Sequence, residues 1–74
     1  MKSRIRNTIR ELRVGRSMTQ QDLADLLFVT RQTVGAIEGD KYSPSLEVAF
    51  RIARVFEVPL EQVFQYDPFG SSSR

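Results

Sequence analysis

The stretch that decides the fold runs from Thr19 to Glu38 and reads T-Q-Q-D-L-A-D-L-L-F-V-T-R-Q-T-V-G-A-I-E. Thr19 is a typical helix N-cap residue, and Asp22 three positions later suits both the capping pattern and the helix dipole. A helix is therefore expected to begin at about Gln20. Thr30 is a second N-cap residue, so the stretch predicts two helices joined by a tight turn.

The two predicted helices carry apolar residues at spacings that let the helices face each other. Leu23, Ala24 and Leu27 share one face of the first helix, and the small Ala24 allows a close crossing. Val34 and Ile37 are the facing positions of the second helix. The side chains that point away are Arg31, Gln32, Thr33 and Ala36. A bidentate cation, a carboxamide, a hydroxyl and a methyl group at the start of a helix are the side-chain types that read base edges in a DNA major groove.

A family resemblance rests on three runs: T-Q-Q-D-L-A at 19–24, V-T-R-Q-T-V-G-A-I-E at 29–38, and K-Y-S-P-S-L-E-V-A-F-R-I-A at 41–53. They resemble the helix-turn-helix domain of the Xre/Cro (lambda-repressor-like) family of DNA-binding regulators. The likeness covers about Ile9 to Phe64, with separate blocks matching in the right order. It implies an all-α, compact five-helix domain, in which the two chain ends could add a small strand pair.

Length and composition narrow the class of protein. Seventy-four residues predict a single domain over 1–69, followed by a disordered tail over 70–74. The absence of cysteine and histidine excludes disulfides, the usual zinc sites and histidine-based acid–base chemistry. The carboxylates are scattered, so we expect neither an enzyme nor a bound metal or cofactor. Because no apolar run approaches the roughly 20 residues of a membrane span and no secretory signal is present, the default expectation is a cytoplasmic protein.

Basic residues are concentrated at the start of the chain. Six of the eleven lie in the first sixteen positions, against the single acidic Glu11, although the net charge is only +2. They are Lys2, Arg4, Arg6, Arg10, Arg13 and Arg16. Such a cluster is either a solvated helix face or a site for polyanions, and beside the two central helices it favours phosphate contacts.

The remaining elements follow from caps and apolar spacing. Asn7 is a plausible N-cap of a first helix, although a start near Ser3 is also open, and residues 4–6 could instead pair as a strand with the C-terminal segment. Gly39 and Asp40 both tolerate the left-handed conformation that ends a helix. Ser45 caps a fourth helix with a core stripe of Leu46, Ala49, Ile52, Ala53 and Phe56. Pro59 is placed as the first residue of a short fifth helix holding Leu60, Val63 and Phe64.

The candidate DNA contacts divide into two groups. Arg31 and Gln32 are predicted to read base edges, with Thr33 and Ala36 beside them, unless these side chains only solubilise an exposed helix. The resemblance implies a phosphate contact for Gln20, and the other phosphate candidates are Thr30, Lys41 and Tyr42. It also implies an ion pair between Arg13 and Glu38, the alternative being two unpaired surface charges.

Three positions depart from the family pattern. Phe28 stands in the turn where the family usually has glycine, at a position that commonly takes a positive φ. Leu26 replaces a usually polar residue, so Leu26 and Phe28 could form an exposed apolar patch. Gly35 interrupts the second helix at a cost of about 1 kcal/mol relative to alanine. It either lets the helix approach DNA closely or is tolerated drift.

Two functions remain open at this stage. The first is a sequence-specific regulator, a repressor that occupies an inverted-repeat operator as a homodimer. Its predicted dimer surface is Leu60, Val63, Phe64 and Tyr66, with Phe69 in the same C-terminal segment. The alternative is that Leu60, Val63 and Phe64 complete the core of the monomer while Tyr66 and Phe69 lie in a loose tail. The second is an antitoxin-like interaction module that binds a partner protein through Leu26 and Phe28 and autoregulates.

Overall fold

A computed structural model describes residues 5–67. Within them the chain forms five helices and two short strands. The elements are β1 (Ile5–Asn7), α1 (Ile9–Gly15), α2 (Gln20–Leu27), α3 (Arg31–Glu38), α4 (Leu46–Phe56), α5 (Leu60–Val63) and β2 (Phe64–Tyr66). The predicted tail over 70–74, and Lys2, Arg4 and Phe69, lie outside the described residues.

The helix starts at α2, α3 and α4 are set by local caps, as predicted. At α2 the Thr19 hydroxyl accepts from the N–H of Asp22 at 3.0 Å, and the Asp22 carboxylate accepts from the N–H of Thr19 at 2.9 Å. Thr30 and Ser45 accept in the same way from the N–H groups three residues later. Each cap satisfies a donor that has no partner within its own helix.

Three predicted boundaries are wrong by small amounts. The N-cap of α1 is Thr8, although the Asn7 side chain one residue earlier accepts from the N–H of Ile9 at 3.1 Å. Pro59 is the N-cap of α5, and Phe64 belongs to β2 rather than to that helix. Fixed-φ proline fits either side of a helix start, so the sequence does not separate the two positions.

The core lies where the two central helices meet α4. The buried residues are Ile9, Leu23, Ala24, Leu27, Val34, Ile37, Ala49, Ile52, Ala53, Phe56 and Val63. They include every apolar position predicted for α2 and α3. Leu46, predicted on the core stripe of α4, is 70% exposed. It lies at the rim of an open apolar groove that no other element of the described chain covers.

The two strands confirm the predicted strand pair between the chain ends. They are antiparallel, with Ile5 opposite Tyr66 and Asn7 opposite Phe64. The alternative of a first helix starting near Ser3 is wrong, because residues 5–7 are extended. Among residues 5–67, no helix is long and apolar enough to cross a membrane.

Candidate nucleic-acid interface

The exposed face of α3 is created by its two buried anchors. Val34 and Ile37 are 1% and 2% exposed, and they seat the helix on the core. Because successive residues of a helix are 100° apart, Gln32 and Ala36 lie on the side opposite Val34 and Ile37. Arg31 lies beside Gln32 in the first turn. Arg31 and Gln32 are exposed. The structure therefore places a guanidinium and a carboxamide on an open face at the start of a firmly held helix.

Thr33 and Ala36 are less accessible than Arg31 and Gln32, since both are half-buried. The hydroxyl oxygens of Thr33 and Thr30 lie 3.0 Å apart, and the Thr30 hydroxyl also accepts from the N–H of Thr33. The Thr30 side chain thus holds the start of α3 as well as standing at the candidate interface.

The turn between α2 and α3 keeps its left-handed residue even though that residue is aromatic. Phe28 has φ 60° and ψ 40°, and its side chain is 83% exposed. Arg51 of α4 supports it from one side. Its guanidinium donates to the carbonyl oxygen of Leu27 at 2.9 Å and lies 5.6 Å from the centre of the Phe28 ring. This cation–π contact and the capped carbonyl stabilise a conformation that a bulky residue adopts only with strain.

A buried ion pair ties α1 to the end of α3. Arg13 Nε donates to Glu38 Oε2 at 2.7 Å and Arg13 Nη2 donates to Glu38 Oε1 at 3.2 Å. The two side chains are only 12% and 7% exposed. Arg13 also donates to the carbonyl oxygen of Met18 at 2.9 Å. Because the pair is bidentate and largely out of water, its geometry is closely defined.

Gln20 joins this network and is oriented by it. Its Nε2 donates to Glu38 Oε1 at 3.1 Å. It leans over Gly35, where an added Cβ would lie 3.7 Å from Gln20 Nε2, an ordinary contact. Gln20 and Arg31 also line one open groove, together with residues from the end of α1 and the turn before α2. The residue predicted for a phosphate contact and one predicted for a base contact therefore share one groove.

Three arginines of the N-terminal basic cluster that lie among residues 5–67 contact other groups of the chain. Arg13 is buried against Glu38, and Arg6 lies 3.3 Å from Asp40. Arg16 donates to the carbonyl oxygen of Phe56 at 2.6 Å and lies over its ring. Each of these three arginines stabilises a join between elements, and the expectation that the basic cluster contacts phosphates stays a prediction.

The segment after α3 holds the predicted phosphate candidates Lys41 and Tyr42, which are both exposed. Asp40 before them takes the left-handed conformation with φ 62°, whereas Gly39 has an ordinary φ of −87°. Sequence reasoning missed that Asn7 and Arg6 of β1 contact this segment. No local pattern signals it, since the partners are more than 30 residues apart.

The residues of the predicted dimer surface differ in how exposed they are. Val63 is completely buried in the core of one chain, so its assignment to a surface was wrong. Tyr66 is 68% exposed. Leu60 and Phe64 are half-buried. They line an apolar groove together with Ile5, Pro44, Leu46 and Ala49.

Known proteins match most of this chain. A protein-family model described as helix-turn-helix matches residues 9–63. An uncharacterized HTH-type transcriptional regulator of Methanocaldococcus jannaschii is 46% identical over 63 residues, covering 85% of this chain and 96% of that protein. The HTH-type regulator YgzD of Bacillus subtilis is 42% identical over 60 residues, covering 81% and 91%. Among solved structures, the restriction-modification controller protein C.AhdI from Aeromonas hydrophila has a TM-score of 0.67 at 28% identity, covering 73% of this chain and 78% of that one.

Proposed function

Because the chain belongs to the Xre/Cro (lambda-repressor-like) helix-turn-helix family of DNA-binding transcriptional regulators, we propose that it represses transcription by occupying an operator as a homodimer. The observation that carries the proposal is the open face of α3, where exposed Arg31 and Gln32 stand on a helix anchored by Val34 and Ile37. We call α3 the recognition helix from here on. Bound at a promoter, the homodimer blocks transcription by occupying the operator.

The recognition helix enters the major groove with its first turn leading. Arg31 and Gln32 read base edges, since a guanidinium pairs with guanine and a carboxamide with adenine in two-bond contacts. Thr33 and Ala36 supply a hydroxyl and a methyl group at the edge of the same contact. Their partial burial supports a shorter reach than that of Arg31 and Gln32.

Phosphate contacts flank the recognition helix on both sides. Gln20 and Thr30 contact one phosphate run, and Lys41 and Tyr42 contact the other. The hydrogen bond from Gln20 Nε2 to Glu38 supports this role, because it fixes the amide before DNA arrives. Such contacts position the protein and carry no sequence information directly.

The homodimer forms through the C-terminal surface. Leu60 and Phe64 in the apolar groove, with exposed Tyr66 beside them, supply its contacts. One recognition helix reads only a few base pairs, so a twofold pair is needed to specify an operator. The pair would place two recognition helices about 34 Å apart on an inverted repeat.

Contact with a partner protein through Leu26 and Phe28 is the weaker proposal. Leu26 is 50% exposed, which supports it, but the exposed Phe28 already serves the turn by its contact with Arg51. A protein that binds an operator must have access to the chromosome, so a cytoplasmic location is part of the operator-binding proposal.

Selection of bound sites from random duplex DNA tests the proposal. The expected result is an enriched inverted repeat with half-sites roughly one helical turn apart. Affinity for the enriched duplex should also fall steeply with salt, since the phosphate contacts displace condensed counterions. Enrichment of no sequence, or an affinity that does not change with salt, would contradict operator binding.

A further inference from the structure

Asn7 joins three elements through one side chain. Its Nδ2 donates to the carbonyl oxygen of Ile37 at 2.9 Å and to Asp40 Oδ1 at 3.1 Å. Its Oδ1 accepts from the N–H of Ile9 at 3.1 Å. The residue lies in β1, so it connects the terminal strand pair to the start of α1 and to the end of the recognition helix.

The end of the recognition helix needs such a partner. The last carbonyls of a helix have no donor within it, and Ile37 offers its oxygen to the N–H of Asp40 at 3.1 Å as well as to Asn7. Asp40 has φ 62°, the left-handed conformation that ends the helix, and its carboxylate is held by two side chains of β1. Asn7 holds one carboxylate oxygen of Asp40, and Arg6 Nη1 lies 3.3 Å from the other.

The fixed segment leads directly into the proposed phosphate contacts. The N–H of Lys41 donates back to the carbonyl oxygen of Ala36 at 2.9 Å, which closes the helix end around Asp40. Lys41 and Tyr42 follow Asp40 in the chain, so the backbone conformation of Asp40 sets the direction in which the segment continues after the helix. A segment held in place before binding loses less conformational freedom when DNA arrives.

We propose that Asn7 is a positioning residue for DNA binding, which acts by fixing the end of the recognition helix and thereby the approach of Lys41 and Tyr42 to DNA phosphates. The proposal rests on the proposed function. Asn7 is half-buried and its side chain is fully engaged within the chain, so its effect passes through Ile37 and Asp40.

The test compares Asn7→Ser with Ile52→Val. Serine keeps a short oxygen near the N–H of Ile9 but does not span Ile37 and Asp40, and it changes no charge. Ile52→Val removes one methyl group from the core of α4, away from the helix end, and serves as the control for lost stability. Urea unfolding of both variants first establishes that each is folded under the binding conditions.

Two measurements follow on the folded proteins. Without DNA, amide hydrogen exchange at Lys41 should be faster in Asn7→Ser than in the wild type and in Ile52→Val. With the duplex enriched by selection, Asn7→Ser should bind about tenfold more weakly, and Ile52→Val should bind like the wild type. The slope of affinity against salt should become shallower in Asn7→Ser and stay unchanged in Ile52→Val, because Lys41, whose cation displaces counterions, is no longer held for its phosphate contact.

Each contrary outcome has a separate meaning. Binding by Asn7→Ser within twofold of the wild type overturns the positioning role, and so does an equal loss in Ile52→Val. Unchanged exchange at Lys41 overturns it even if affinity falls, and so does a loss of affinity with an unchanged salt slope. If the wild-type protein binds no duplex, the proposed function is overturned, and the positioning role falls with it. This outcome is seen in the wild type alone, so it is distinguishable from a failure of the positioning role.

Discussion

Arg31 and Gln32 are adjacent in the chain but differ in what they offer to a base pair. The guanidinium of Arg31 is charged and the amide of Gln32 is not. A comparison of the two replacements therefore separates the loss of a charge from the loss of a base contact. Both side chains are exposed and make no contact that holds the core. Their replacement therefore tests DNA recognition with little effect on folding.

Replacing Arg31 or Gln32 with alanine should cost about 1–3 kcal/mol of binding free energy at the selected site and relax the preference at one base pair. Affinity is measured on duplexes carrying each substitution at each position of the site. Arg54→Ala is the matched control for lost charge, because Arg54 is an exposed arginine of α4. Equal losses on every duplex would make these residues positioning contacts instead.

Asp22 links the stability of α2 to pH. The N–H of Thr19, followed by the Thr19 hydroxyl, holds the pKa of Asp22 below its ordinary value of 3.8. A carboxyl whose pKa is lowered by folding stabilises the protein at pH values above the unfolded pKa, and this contribution is lost as the pH falls through the folded pKa.

The Asp22→Asn variant should therefore lose less stability on acidification than the wild type, because its amide oxygen still accepts from Thr19 but does not titrate. Urea unfolding from about pH 5 to pH 2 measures both proteins. Parallel curves would show that the Asp22 carboxylate contributes nothing specific to the capped form.

At the scale of elements, α1 is coupled to the recognition helix by Arg13 and Glu38. Removal of either side chain leaves a buried charge without its partner, so each single alanine variant should lose more than the about 0–1 kcal/mol typical of a surface pair. Glu38→Ala also releases Gln20, which loses its acceptor.

A double-mutant cycle on Arg13→Ala and Glu38→Ala measures this coupling by urea unfolding. The loss in the double variant should be clearly smaller than the sum of the two single losses. The pair of Glu47 and Arg51 in α4, 2.9 Å apart and more exposed than Arg13 and Glu38, provides the comparison, and its coupling should be smaller. Additive losses at Arg13 and Glu38 would mean that the observed contact has no energetic weight.

The elements differ in how well the sequence predicts them, for a physical reason. The starts of α2, α3 and α4 were predicted because a cap is a contact between residues three apart. The contacts of Asn7 with Ile37, and of Arg16 with Phe56, join residues 30 and 40 positions apart. Spacing within one helix carries no information about them.

The same reason explains which site residues were found. Arg31 and Gln32 follow from their place after the Thr30 cap, and the Arg13–Glu38 contact, although distant in sequence, was reached only through the family pattern. The contacts of Arg6 with Asp40 and of Arg16 with Phe56 were not predicted, because a cluster of basic residues looks alike whether its charges face solvent or bind carbonyls and carboxylates of the same chain.

At the scale of the whole molecule, the two proposals concern different apolar surfaces of the described chain. One is the groove lined by Leu60 and Phe64, with Tyr66 exposed beside it. The other contains Leu26 and Phe28 on α2 and the turn after it. The homodimer proposal concerns the first surface and the partner-protein proposal concerns the second, so a charge placed on each distinguishes them.

Tyr66→Glu should convert a homodimer into a monomer, because a carboxylate would be buried without a partner at the proposed interface. Tyr66 is preferred to Phe64 for this test, since Phe64 is half-buried in the monomer and its replacement would also disturb the core. Sedimentation equilibrium at micromolar concentration should give twice the 8.5 kDa chain mass for the wild type. Leu26→Glu introduces the same charge on the other surface and should remain dimeric.

Affinity for the inverted repeat should fall in Tyr66→Glu, because one recognition helix alone contacts one half-site. A wild-type monomer, or dissociation caused by Leu26→Glu instead, would move the dimer away from the C-terminal surface.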